Sequence, residues 1–173
     1  MEPLRIGVLG AARIAGLAIV GPARTTGDRL VAVAARDRRR AEAFAVTHGI
    51  ERVLGTYADV VADPEVEVVY NPLANGLHGP WNLAAIAAGK HVLTEKPSAS
   101  NAAEAREVRD AATAAGVTFL EGFHYLYHPV TRRLHELLAT GELGRLATSR
   151  STWSSPPPPT TTRAGRWSWP AAR

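Results

Sequence analysis

Only two lysines stand in the chain, against 18 arginines. One of them, Lys96, lies in the tripeptide Glu95-Lys96-Pro97, directly after the apolar run His91-Val92-Leu93-Thr94. Pro97 biases the residue before it to an extended backbone, which could direct the ammonium group into a cleft. An ammonium beside a reacting oxygen can polarise it or give it a proton; the plainer alternative is a surface cation. A second set of residues suits phosphate. Ile6-Gly7-Val8-Leu9-Gly10-Ala11-Ala12-Arg13-Ile14-Ala15 has the layout of a strand, turn and helix whose glycine-rich form cradles a pyrophosphate. Aligned on Gly10, the second and third glycines of that pattern are Ala12 and Ala15, the smallest replacements. Backbone N–H groups from Gly10 to Ile14, at the start of the helix, would then meet the pyrophosphate; a plain strand-to-helix turn in an alanine-rich chain is the alternative. A third set is Ala35-Arg36-Asp37-Arg38-Arg39-Arg40. An acidic residue here takes a ribose 2′-hydroxyl, whereas an arginine accommodates a 2′-phosphate. Arg38, Arg39 and Arg40 fall in the first turn of a helix, where cations oppose the dipole, so an anion nearby would explain them. Arg36 with these three favours NADP(H). Asp37 could cap the helix or serve NAD(H). The six histidines show no spacing diagnostic of a metal site, and no metal is expected.

Elements that could position these residues follow from the hydrophobic pattern. Residues 4–9 read as a strand and 12–20 as a helix closed by Gly21-Pro22. Strand 30–34 precedes a helix over 38–48, which Gly49 ends. A short strand 52–54 and a helical turn at 58–62 lead to strand 66–70. A helix over 77–88 stops at Gly89, before strand 91–94. Asn101 suits the N-cap of a helix running to about residue 115, with Gly116 as its stop. Strand 117–120 completes the set. Strands alternating with helices predict an α/β fold with a doubly wound parallel sheet. Such a sheet binds ligands at the carboxyl ends of its strands, here residues 10–13, 36–37, 71–78, 95–97 and 121–128. The polar and special residues cluster at these five places.

At 173 residues, 46% hydrophobic and 21% charged, the chain has globular proportions, with room for one domain or one domain and part of a second. Absence of cysteine excludes a disulfide scaffold, a zinc finger and thiolate chemistry. No run of about 18 apolar residues suggests a membrane span. Met1-Glu2-Pro3-Leu4 lacks a basic then hydrophobic leader, so a cytoplasmic location is expected. The isoelectric point near 10.0 raises nucleic-acid binding as a rival class. Charge distribution opposes it: residues 1–150 hold 17 Arg and Lys against all 16 acids, and the excess sits in Arg163, Arg166 and Arg173. Neither a nucleic-acid nor a membrane partner is expected.

Three further segments carry a resemblance. They are Tyr70-Asn71-Pro72-Leu73-Ala74-Asn75-Gly76-Leu77-His78, Ala88-Gly89-Lys90-His91-Val92-Leu93-Thr94-Glu95-Lys96-Pro97 and Glu121-Gly122-Phe123-His124-Tyr125-Leu126-Tyr127-His128-Pro129. Together with the turn at 10–15, the chain resembles the glucose–fructose oxidoreductase, inositol dehydrogenase and MocA family over residues 3–150. The last segment looks most like its dimeric dihydrodiol dehydrogenase branch. The resemblance implies a nicotinamide cofactor and hydride transfer with a sugar-like or diol carbon. It makes Lys96 the catalytic lysine and puts Glu95 near the nicotinamide ribose. It has Asn71, Pro72, Leu73, Asn75, His78 and Glu121 line the cofactor, and His124 and Tyr125 face the substrate. From the residues alone, His78 could equally cap a helix and His124 or His128 pack in a core or interface. Leu126 departs from the arginine usual in the branch, and so questions a polar contact there.

The same resemblance implies domain boundaries: a nucleotide-binding domain at 1–122, the start of a substrate and dimerisation domain at 123–150, and a tail at 151–173. The tail holds three of the four tryptophans and five prolines but no Ile, Leu or Val, which forbids an amphipathic element. Residues 156–159 would form a polyproline spacer; a proline-rich ligand is the functional alternative. Regrouping codons by one base lets 160–162 become acidic and Pro170 become alanine. That frame resembles the family's segment before its glycine-rich strand and catalytic tyrosine. A frameshift near 147–153 is therefore expected, leaving a nucleotide-binding chain in which the dimer face of this homo-oligomeric family is largely missing, with weak or no turnover. A non-catalytic dinucleotide-binding remnant is the alternative reading.

Overall fold

The computed structural model describes residues 2–145 with Ala147 and Thr148, so every expectation for residues 151–173 lies outside the described residues. The described residues fall into two units, the first ending at His124 and the second beginning at Tyr125. In the first, six strands make one parallel sheet: β1 Arg5–Leu9, β2 Arg29–Ala34, β3 Arg52–Val53, β4 Val68–Asn71, β5 His91–Thr94 and β6 Phe119–Glu121, in spatial order β3-β2-β1-β4-β5-β6. β1 and β2 are almost wholly buried, which is why they read as continuous apolar runs rather than alternating ones. The connecting helices are α1 Gly21–Thr26, α2 Arg38–His48, α3 Tyr57–Ala62, α4 His78–Ala87 and α5 Ala102–Ala115.

The central strands of the sheet are buried on both faces. One cluster joins Leu9, Val31, Val60, Val69, Ile86, Val92 and Val108. The other joins Ile6, Val8, Ala15, Ile19, Val33 and Tyr70. Val8 and Leu9, neighbours on β1, fall in different clusters, as the two-residue period of a strand requires. Gly7 is glycine for packing: a Cβ there would stand 2.6 Å from Val60 Cγ1 and 2.9 Å from Val66 Cγ2.

Helix boundaries follow their caps. Asp37 caps α2, Thr56 and Asp59 form a reciprocal capping box on α3, and Asn101 caps α5. Gly49 and Gly116 close α2 and α5 in the left-handed conformation. The first helical segment differs from expectation, because Gly21-Pro22 does not close it. A helical turn at Gly16–Val20 runs on into α1. Pro22 lies just after the junction of that turn with α1, and Gly27 (φ 82°) is the real stop. Two strands also begin later than the pattern suggested. The Val66 amide turns back to Asp63, and the Val117 amide bonds Ala112 to close α5.

The turn His124–Tyr127 begins on the last residue of the first unit, and α6, Pro129–Ala139, belongs to the second. His128 caps α6 through Nδ1, which accepts from the Val130 amide at 3.2 Å. No described helix is long and apolar enough to cross a membrane.

Candidate functional site

Strand order reverses between β1 and β4, since β2 and β3 lie to one side of β1 and β4 to β6 to the other. A cavity of about 460 Å³ opens at that switch, where doubly wound sheets bind ligands. Its walls are Gly10, Ala11 and Ala12 after β1, Ala35, Arg36, Asp37 and Arg40 after β2, Tyr57 on α3, and Pro72, Leu73 and Ala74 after β4.

The turn after β1 is shaped for close approach. Gly10 has φ +89°, and a Cβ there would meet Leu73 Cδ2 at 3.0 Å. Its amide bonds Ala34 O at 2.7 Å, locking the turn onto β2. Amides of Ala11, Ala12, Arg13 and Ile14 have no acceptor among the described residues. Ala15, in place of the third glycine, is fully buried in the core. Arg13 and Ile14 are exposed and their side chains do not line the cavity.

Asp37 and the arginines divide their roles at the end of β2. Asp37 Oδ1 accepts from the amides of Arg39 (2.9 Å) and Arg40 (3.4 Å), so one carboxylate oxygen is engaged with its own helix. Arg38 pairs with Glu42 at 2.9 Å. Arg40 reaches back across the cavity, where its Nη2 donates to Ala11 O at 3.3 Å. Arg36 and Arg40 are therefore the cations of the wall.

Tyr57 was not among the site residues read from sequence. The capping box that starts α3 places it at the carboxyl end of β3. Its ring meets Trp81 edge-on, with centroids 5.3 Å apart and an interplanar angle of 86°.

Beside the cavity, the ends of β4, β5 and β6 carry a second cluster. Lys96 is exposed and makes no hydrogen bond or ion pair among the described residues; its peptide bond to Pro97 is cis. Glu95 is half-buried and accepts from the Tyr70 hydroxyl at 3.0 Å. Burial, and then the neighbouring Glu95 carboxylate, push the Tyr70 phenol well above its ordinary pKa, so it stays a donor. Asn71 and His78 are buried. Asn71 Nδ2 donates to Asn82 Oδ1 (2.9 Å) and to His78 O (3.2 Å). The His78 ring has Nδ1 at 2.6 Å from Pro97 O and Nε2 at 2.8 Å from Leu73 O.

Sequence expectations about contacts divide on these facts. Gly10, Ala11, Ala12, Arg36, Asp37, Pro72 and Leu73 come together on the cavity wall. Asn71, Asn75, His78, Glu95, Lys96 and Glu121 do not line it. His78 leaves no ring nitrogen free for a ligand, because both are taken by backbone carbonyls. Both Glu121 oxygens are engaged by Ser98, from its amide (2.9 Å) and its hydroxyl (3.0 Å). Asn75 lies exposed on the turn Asn75–Leu77, and His124 and Tyr125 are exposed on theirs. No group of three or more His, Asp or Glu among the described residues could hold a metal ion.

Comparison with known proteins agrees with this geometry. Residues 4–123 match the GFO_IDH_MocA model, described as an oxidoreductase family with an NAD-binding Rossmann fold. A D-xylose 1-dehydrogenase (NADP(+)) of Haloferax volcanii is 40% identical over 151 residues, 87% of this chain and 46% of the relative. A trans-1,2-dihydrobenzene-1,2-diol dehydrogenase of Oryctolagus cuniculus is 45% identical over 123 residues, 71% of this chain and 37% of the relative. Among solved structures, the 3-ketoreductase KijD10 of Actinomadura kijaniata, in complex with NADP and TDP-benzene, superposes with a TM-score of 0.74. It is 33% identical, over 81% of this chain and 43% of KijD10. The chain thus spans less than half the length of these relatives. A parallel sheet in the order β3-β2-β1-β4-β5-β6, a cavity at its switch point and a family match over most of the first unit lead to one conclusion: the chain belongs to the GFO/IDH/MocA oxidoreductase family.

Proposed function

We propose that the first unit binds NADP(H) in preference to NAD(H), and that in the whole protein Lys96 serves hydride transfer with an alcohol or carbonyl carbon of a sugar or cyclic diol. One observation carries the preference. The acidic residue that would receive a ribose 2′-hydroxyl, Asp37, is engaged by the amides of Arg39 and Arg40, while Arg36 and Arg40 remain in the wall. Two guanidinium groups in the wall suit a 2′-phosphate, beside an Asp37 whose Oδ1 is committed to capping α2. Unpartnered amides after Gly10, under a backbone that only glycine adopts readily, suit the pyrophosphate. When bound, the nicotinamide supplies the hydride or accepts it. The chain's own part is to orient the nucleotide through the turn and to present Glu95 and Lys96 beside each other at the end of β5. There the exposed Lys96 ammonium is free to hold a proton toward a substrate oxygen. Relatives named for D-xylose and for a dihydrobenzene diol support the substrate class. Boundaries at 1–122 for the nucleotide domain and 123–150 for the start of a second one, with His124 and Tyr125 toward substrate, belong to the same reading.

Binding tests this directly, because the cavity is built from residues between Gly10 and Ala74. Arg36→Ala and Arg40→Ala each remove a charged hydrogen bond of about 1.5–3 kcal/mol. NADP+ affinity should fall about 10- to 150-fold in each, with NAD+ affinity held within about threefold. Equal losses for both nucleotides would overturn the preference.

A further inference from the structure

We propose that Asn82 and His78, both on α4, are positioning residues that fix the loop carrying Lys96; the inference rests on the role given to Lys96 above. Asn82 is fully buried. Its Nδ2 donates to Ser98 O at 3.0 Å while its Oδ1 accepts from Asn71 at 2.9 Å. The His78 ring lies between Pro97 O and Leu73 O. One helix therefore grips the two carbonyls that follow Lys96, those of Pro97 and Ser98. It grips them from the same network that holds Leu73 at the cavity wall. Glu121 on β6 takes the Ser98 amide and hydroxyl from the other side.

The contrast within this loop points to function rather than to packing alone. Backbone on the carboxyl side of Lys96 is bonded from two directions, yet the Lys96 side chain is exposed and without a partner among the described residues. The other lysine shows what a structural lysine does here: Lys90 Nζ donates to Asp63 O and Val66 O, each at 2.8 Å. Apolar side chains at positions 78 and 82 could pack α4 on the sheet, but they could not specify where the 97 and 98 carbonyls lie. A fully satisfied buried network does specify it, and no buried side-chain nitrogen or oxygen among the described residues lacks a partner.

Having only two lysines makes the test direct. Protein labelled with 13Cε-lysine gives one signal for Lys96 and one for Lys90 as internal control. Ser98 amide exchange is measured in the same samples without nucleotide. In Asn82→Ala the Ser98 amide, which itself donates to Glu121, should exchange about fivefold faster, because the loop has lost the one net hydrogen bond that holds the Ser98 carbonyl. The Lys96 signal's response to NADP+ should fall by half or more, while NADP+ affinity stays within about threefold. Val108→Ala, a core change that touches none of these bonds, should leave both readouts as in the wild type. Wild-type behaviour in Asn82→Ala would overturn the proposal. So would equal disturbance by Val108→Ala, which would reduce the network to general stability. If Asn82→Ala does not fold, Asn82→Ser is read by the same criteria. Failure of the wild type to bind NADP+ would refute the nucleotide reading alone, since Ser98 exchange in the free protein decides whether the loop is held.

Discussion

Gly10 is where conformation and function are most tightly joined, and replacing it by alanine separates the two. Its φ of +89° lies in the region an L-residue adopts at a cost of roughly 1–2 kcal/mol. The added Cβ would also press on Leu73 Cδ2 at 3.0 Å, a contact closer than ordinary carbon–carbon separation. Gly27 provides the control. It has nearly the same φ, +82°, but a Cβ there has nothing within 4 Å. Gly27→Ala should therefore cost the conformational part alone. At a urea slope of about 2 kcal/mol/M, that is a midpoint lower by about 0.5–1 M. Gly10→Ala should fall by the same amount and somewhat further, the excess measuring the Leu73 contact. Nucleotide titration then distinguishes the sites. Gly10→Ala should weaken NADP+ binding at least about tenfold, some 1.4 kcal/mol, because the methyl group enters the cavity beside the turn amides. Gly27→Ala should leave it unchanged. Equal binding by Gly10→Ala and wild type, with only stability altered, would refute the assignment of the turn to the pyrophosphate.

Other predictions follow from neighbouring contacts. Asp37→Ala removes the N-cap of α2 and should cost about 1 kcal/mol of stability while leaving the preference for NADP+ over NAD+ intact; a selective loss of NAD+ binding would return Asp37 to the ribose. Asp63 is driven up by burial but held lower still by the Glu65 amide and the Arg52 guanidinium, so its carboxyl lies below the ordinary 3.8. A depressed folded value gives stability that is present above the unfolded pKa and lost as pH falls through the folded one. The urea midpoint should accordingly drop between about pH 5 and about pH 3, and Asp63→Asn should flatten part of that drop; an unchanged slope would remove Asp63 from the account.

Sheet and cavity differ in how much of each the sequence discloses. Strands buried on both faces are continuous apolar runs, and the residues that break them at Gly10, Arg36 and Pro72 stand out because a ligand-facing turn needs glycine, charge or proline. Tyr57 was hidden by its setting. It follows Thr56 at the head of a six-residue helix, where an aromatic residue looks like core, and the short β3 gave its carboxyl end no weight. Carrying the strand-end rule through to residues 54–57 would have found it. Arg40 was legible only as one of three equivalent arginines, since which guanidinium turns inward depends on where the Ala11 carbonyl falls. His78 and Glu121 were legible as important but not as to their task. Their partners, Pro97, Leu73 and Ser98, lie 19, 5 and 23 residues away in sequence and meet them only through the sheet register. Asn82 gave no signal, because a single asparagine among alanines on a helix resembles a surface residue until α4 is docked.

The central claim is that this chain carries an NADP(H) site built by Gly10, Arg36 and Arg40 at the switch point of the sheet. Titrating the chain with NADPH and then NADH, followed by nicotinamide fluorescence, tests it most directly. Saturable one-to-one binding of NADPH, at least about tenfold tighter than that of NADH, is the predicted result, the difference being the worth of charged hydrogen bonds to one phosphate. Equal or tighter binding of NADH, or no saturable binding of either nucleotide, would contradict it.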